Sequence, residues 1–147
     1  MKAKIAINGF GRIGRMVFRK LMSEDSVELV AVNASYPAET LAHLIKYDTN
    51  HGKFDGDVIA DNDALIINGN RVALVNNRDP KELPWKELGI DIVIEATGKF
   101  NSREKAALHL EAGAKKVILS APGKNEDVTI VMGVNDEVLN IEDHDVI

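Results

Sequence analysis

Ile5-Ala6-Ile7-Asn8-Gly9-Phe10-Gly11-Arg12-Ile13-Gly14 is the stretch on which the fold turns. Three apolar residues in a row, closed by Asn8 and stopped at Gly9, read as a short strand buried on both faces. Past the glycines the period changes. Ile13, Val17, Phe18, Leu21 and Met22 recur at helical spacing, with Arg12, Arg15, Arg19 and Lys20 on the wet face. Val27 to Val32 is then a second strand. Strand, helix and strand in immediate succession form a βαβ unit with parallel strands and a right-handed crossover.

Gly9-Phe10-Gly11-Arg12-Ile13-Gly14 has the spacing G-x-G-x-x-G and the strand and helix on either side that give this spacing meaning. Gly9 allows a tight turn, Gly11 lets the backbone approach a pyrophosphate, and Gly14 lets helix and strand pack closely. The N–H groups of Arg12 and Ile13 then meet phosphate at the positive end of the helix dipole. The pattern predicts a bound dinucleotide. In such sites an acidic residue at the end of the second strand accepts from the adenosine ribose. Here that strand ends Val32-Asn33-Ala34-Ser35, and the first acid beyond it is Glu39. A carboxylate would repel a ribose 2′-phosphate, whereas Ala34 leaves room and Ser35 offers a hydroxyl. NADP is therefore favoured over NAD; with NAD, Asn33 alone would hold the ribose.

Further along, Pro37 can open a helix carrying Leu41, Leu44 and Ile45. Ala64 to Ile67 and Arg71 to Val75 flank Asn68-Gly69, which predicts an antiparallel hairpin inserted in the otherwise parallel sheet. Pro80 and Pro84 punctuate a loop, and Ile90 to Ala96 is a central strand ending at Thr97-Gly98. Asn101 and Glu104 suit a capping box for a helix closed by Gly113. Lys116 to Ser120 and Val128 to Met132 read as strands, and Asp145-Val146-Ile147 as the start of another. The expectation is a single α/β domain over residues 1–147, without repeats or linkers.

Composition narrows the function classes. The chain has 147 residues, a formal charge of −5 and no cysteine. That length buries roughly 68–70% of the unfolded surface, enough for one core without staples. Absence of cysteine excludes disulfides, cysteine metal sites and a thiol nucleophile carried by these residues. Eighteen Lys and Arg against 23 Asp and Glu argue against a nucleic-acid binder. No run approaches the ~18 apolar residues of a membrane helix, and no signal peptide opens the chain, which predicts a cytoplasmic protein without membrane attachment. His43, His51, His109 and His144 lack ligand spacing and read as structural or exposed, so neither a metal site nor a catalytic residue is assigned.

The glycine motif within Ala6 to Arg15 resembles the opening of phosphorylating glyceraldehyde-3-phosphate dehydrogenases. The likeness continues through Leu44-Ile45-Lys46-Tyr47-Asp48 with His51-Gly52, Arg78-Asp79-Pro80, Glu95-Ala96-Thr97-Gly98-Lys99-Phe100 and Ala112 to Ile118. It implies a Rossmann-type doubly wound domain, a separate catalytic domain, and a homotetrameric cytoplasmic enzyme. It also places Arg12 and Ile13 on the pyrophosphate and nicotinamide side, Arg78 near the adenosine, and Thr97, Gly98, Phe100 and Ser120 along the cleft. Ala34 departs from the aspartate of NAD-using members and is like members that use NADP biosynthetically, leaving Ser35 and Arg78 to take the 2′-phosphate. In that family a cysteine attacks the aldehyde, hydride passes to the nicotinamide, and inorganic phosphate releases an acyl phosphate. The resemblance puts that cysteine, in a Ser-Cys-Thr-Thr-Asn segment, a few residues beyond Ile147, so these residues alone should bind cofactor without turnover. Erythrose-4-phosphate dehydrogenase shares these motifs. A stand-alone nucleotide-binding module and a methyltransferase with a glycine-rich first loop are the other readings.

Overall fold

A computed structural model describes residues 1–147. Its strands are β1 (Ala3–Asn8), β2 (Val27–Asn33), β3 (Val58–Asp61), β4 (Ala64–Ile67), β5 (Asn70–Val75), β6 (Ile92–Glu95) and β7 (Lys116–Leu119). The helices are α1 (Arg12–Met22), α2 (Ala38–Lys46), α3 (Trp85–Leu88) and α4 (Arg103–Glu111). All seven strands form one sheet in the order β3-β4-β5-β2-β1-β6-β7. The five from β5 to β7 are mutually parallel, and β3 and β4 run antiparallel at the edge. This is the α/β doubly wound arrangement that the βαβ opening predicts.

Alternation along β1 assigns the two faces. Ile5 and Ile7 enter a core with Phe18 of α1, Leu41 and Ile45 of α2, and Leu65, Ile67 and Val72 of the antiparallel strands. Ala6 faces the other way, toward Trp85, Ile90 and Val93. Such strands carry apolar residues on both sides because helices cover both. Phe10 and Phe18 meet edge to face, centroids 5.5 Å apart, which ties the glycine turn to the helix that follows.

The Asn68-Gly69 hairpin forms as read, both residues at positive φ (49° and 84°). It is extended by β3, which the sequence reading lacks; its register reaches from Val58 opposite Ile67 to Asp61 opposite Ala64. The loop around Pro80 and Pro84 contains a 3-10 turn (Pro80–Glu82) and the short α3, which buries the indole of Trp85 completely.

Three expectations need correction. Val128 to Met132 is not a strand. The sheet edge beside β7 is taken instead by residues 145–147: Val117 N donates to Asp145 O, Ile147 N to Val117 O and Leu119 N to Ile147 O. That leaves residues 128–132 without a strand partner, and Val131 and Met132 lie exposed. The cap of α4 is Ser102, accepting from Lys105 N at 3.2 Å, because main-chain bonds between Asn101, Arg103 and Lys124 place Ser102 last before the helix. Arg19 is not simply solvated: its guanidinium donates to Ile45 O and Gly52 O and covers the ring of Phe54.

Candidate functional site

The chain runs β1, β2, β5 toward one edge of the sheet, then returns to add β6 and β7 on the other side of β1. Strand order therefore reverses at β1, and in open α/β sheets the crevice outside the carboxyl ends at that point is where ligands sit. A cleft of about 310 Å³ occupies this position. Gly9, Gly11, Asn33, Ala34, Ser35, Arg78, Thr97 and Phe100, all singled out from the sequence, line it together.

The glycine motif has the geometry its spacing predicts. Gly9 sits at φ +98° with the turn drawn so close to Thr97 that a Cβ would come within 2.8 Å of the threonine methyl. Gly14 is buried in the first turn of α1, where a Cβ would stand 2.2 Å from the Gly9 carbonyl oxygen; its role is packing, not lining. A Cβ on Gly11 would meet nothing within 4 Å, so the backbone there lies open to an approaching group. Gly11 is also the N-cap of α1, no side chain caps it, and no acid occupies the first turn. The N–H groups of Arg12, Ile13 and Gly14 have no partner inside the helix. Uncapped N–H groups, an open backbone and the positive end of a dipole fit a pyrophosphate.

Arg12 and Ile13 flank the cleft without lining it, and Ile13 is 57% exposed. The Arg12 guanidinium lies 3.7 Å from Asp48, whose carboxylate is nearly enclosed. Hydrogen bonds from His51, main chain first and then ring, lower the Asp48 carboxyl to about 2 against the opposing effect of burial, with Asn50 N–H and Arg12 adding to the depression. A permanent anion thus holds Arg12 beside the helix terminus.

Where the cleft passes the end of β2, no carboxylate lines it. Arg78 and Lys99 are the two charged residues lining it, and Arg78 forms no ion pair with a carboxylate. Asp79 next to it is engaged in capping the 3-10 turn through Lys81 N. The strand-end positions Ala34 and Ser35 line the same wall as Arg78.

Thr97 and Phe100 line the cleft from the end of β6, and Gly98 between them is exposed at φ +75°. Ser120 is not brought to it. It lines a separate cavity of about 500 Å³ with Ile118, Pro122, Ile130, Met132, Leu139 and Ile147. Asn8, Phe10, Tyr36, Asn76, Asn77 and Lys99 line the cleft without having been singled out. Asn8 carried a signal, being the one polar side chain of an otherwise apolar strand end. Asn76 and Asn77 carried none, because only the pairing of β5 with β2 brings them there. No group of histidines, cysteines or carboxylates is arranged to hold a metal ion.

The model of the "Glyceraldehyde 3-phosphate dehydrogenase, NAD binding domain" family matches residues 3–103. The chain belongs to this family. It is 68% identical over all 147 residues to glyceraldehyde-3-phosphate dehydrogenase 2 of Bacillus subtilis, of which it covers 43%. It is 54% identical, again over its whole length, to the glyceraldehyde-3-phosphate dehydrogenase of Geobacillus stearothermophilus, of which it covers 44%. The chain thus spans less than half the length of the dehydrogenases it resembles. NAD(P) binding is the property that family membership and cleft geometry share, and neither the methyltransferase nor the stand-alone module is favoured by these matches. No helix is long and apolar enough to cross a membrane.

Proposed function

We propose that residues 1–147 form the NADP-accepting cofactor domain of a glyceraldehyde-3-phosphate dehydrogenase. The observation that carries the reading is the wall formed by Ala34, Ser35 and Arg78, a cleft surface with a cation lacking an ion-pair partner and no carboxylate. A 2′-phosphate there would take the Arg78 guanidinium as a fork-shaped donor and the Ser35 hydroxyl as a second one. Asn33 supports that wall from below, and Gly9, Gly11, Arg12, Ile13 and Gly14 supply the turn and helix terminus for the pyrophosphate. Thr97, Gly98 and Phe100 border the nicotinamide end; Ser120 lines its separate cavity and is left out of this reading.

The bound nicotinamide supplies the ring that accepts or gives hydride. What this chain contributes is position: it fixes the dinucleotide by its phosphates and presents the ring at the carboxyl ends of β1 and β6. The thiol, the groups that hold the substrate phosphate, the homotetramer and a cytoplasmic setting belong to the whole protein in this proposal. Titration calorimetry with NADP and NAD tests it. Ala34→Asp should weaken NADP at least about tenfold relative to NAD by placing a carboxylate beside the phosphate, and Arg78→Ala should act in the same direction. An unchanged NADP to NAD ratio in both variants refutes the preference. Aldehyde-dependent reduction of NADP by the 147-residue chain alone would refute the assignment of the thiol to another part of the protein.

A further inference from the structure

The floor of the cleft rests on a carboxylate. Glu95, the last residue of β6, is fully buried, as is His109 of α4. Four donors converge on it: Asn8 Nδ2 at 2.6 Å and His109 Nε2 at 2.7 Å on Oε2, and Thr97 N at 3.0 Å and Thr97 Oγ1 at 2.5 Å on Oε1. The histidine tautomer follows from its other side. Trp85 Nε1 can only donate, and it reaches His109 Nδ1 at 3.0 Å, so the ring proton sits on Nε2 and faces Glu95.

The side-chain bonds that reach Glu95, directly or through Asn8, then all run toward it. Asn33 Nδ2 donates to Asn8 Oδ1 at 2.7 Å, and the same Asn33 side chain clasps the main chain of Asn77, taking its N–H and donating to its carbonyl. Asn77 precedes Arg78. On the other branch the Thr97 hydroxyl spends its proton on Glu95 and accepts from Lys99 N–H, which leaves one lone pair for a ligand in the cleft.

We infer that Glu95 is a positioning residue of the cofactor cleft. As the common acceptor of two branches it sets the polarity of the Thr97 hydroxyl toward the nicotinamide end and the orientation of the Asn8-Asn33 pair under the Arg78 loop. The inference rests on the dinucleotide reading of the cleft. Glu95→Gln keeps the shape and breaks the polarity. With its NH2 toward Thr97, the hydroxyl must turn to accept and the Thr97 N–H is orphaned. With its NH2 toward Asn8, that amide must flip, and its own NH2 then opposes Asn33 Nδ2.

Calorimetric titration of the 147-residue chain with NADP and with NAD, alongside thermal melts, decides it. Glu95→Gln should melt cooperatively and bind both dinucleotides about tenfold or more weakly, since the groups it reorients serve both. Thr97→Val should lose part of that factor, and the double variant should bind no more weakly than Glu95→Gln alone, because the hydroxyl is one of the two branches that Glu95 orients. A folded Glu95→Gln variant with affinities within twofold of the wild type overturns the inference, as does full additivity in the double variant. Should Glu95→Gln not fold, Thr97→Val carries the decision: it leaves the carboxylate its other three donors, and unaltered affinity overturns the inference. A wild-type chain that binds neither dinucleotide overturns the cleft reading itself, and this inference with it.

Discussion

A methyl group at position 14 has nowhere to go. It would stand 2.2 Å from the Gly9 carbonyl oxygen, so the glycine turn or the first turn of α1 would have to move. Gly14→Ala should cost about 1–3 kcal/mol in denaturant unfolding, the overpacking penalty outweighing the better helix propensity of alanine. Gly11→Ala meets nothing within 4 Å and should leave stability within about 0.5 kcal/mol while weakening dinucleotide binding. The two glycines of one motif are thus separable by whether stability or binding suffers. These positions were legible in the sequence because spacing alone dictates which glycine turns, which packs and which leaves its backbone open. Glu95 was not. Its partners Asn8 and His109 lie 87 and 14 positions from it along the chain and 101 from each other, so nothing local announces their convergence on one carboxylate.

Elements fail or hold at their ends. The spacing of Asn101 and Glu104 predicts a cap that the structure moves to Ser102, and the two assignments differ in energy. Ser102→Ala should destabilise by about 1 kcal/mol and Asn101→Ala by less than about half of that, read from thermal melts. At the other end of the chain, Asp127 fastens residues 145–147, accepting from Asp145 N and Val146 N and pairing with Arg103 at 2.6 Å. Burial by itself would raise its carboxyl, yet the Arg103 hydrogen bond and the two main-chain donors win and hold it at about 2. Because the folded value lies below the ordinary carboxylate range, the contribution of Asp127 is fully present above about pH 4 and disappears as pH falls toward 2. Amide exchange at Val117, Leu119 and Ile147 should accelerate across that window, and Asp127→Asn should accelerate it at neutral pH and flatten the pH dependence. Which segment wins a sheet edge is decided by such fastening. Val128 to Met132 has the apolar, β-branched residues of a strand and no equivalent clamp.

For the whole molecule, binding energy at the cleft adds to the stability of a single cooperative unit, since both cores meet across one sheet. NADP at one hundred times its dissociation constant should stabilise the fold by about 2.7 kcal/mol, a rise of roughly 5–10 °C in melting temperature for a domain of this size. S-adenosylmethionine at the same concentration should give no such rise; equal shifts from both ligands would remove the dinucleotide assignment. Much of this was readable beforehand. Hydrophobic period, turn residues and the glycine spacing are local properties, and by themselves they determined the βαβ opening, the parallel sheet, the Asn68-Gly69 hairpin and the place of the glycine turn that opens α1. Absence of an acid at Ala34 was equally local. Only the tertiary structure decided which distant strands are neighbours: that β5 lies beside β2 and brings Asn77 and Arg78 under the cofactor wall, that β3 extends the hairpin, and that residues 145–147 rather than 128–132 close the sheet. Those choices depend on the satisfaction of buried donors and acceptors by partners far along the chain, as at Glu95 and Asp127. A residue's period and propensity carry no record of a partner it meets only after folding.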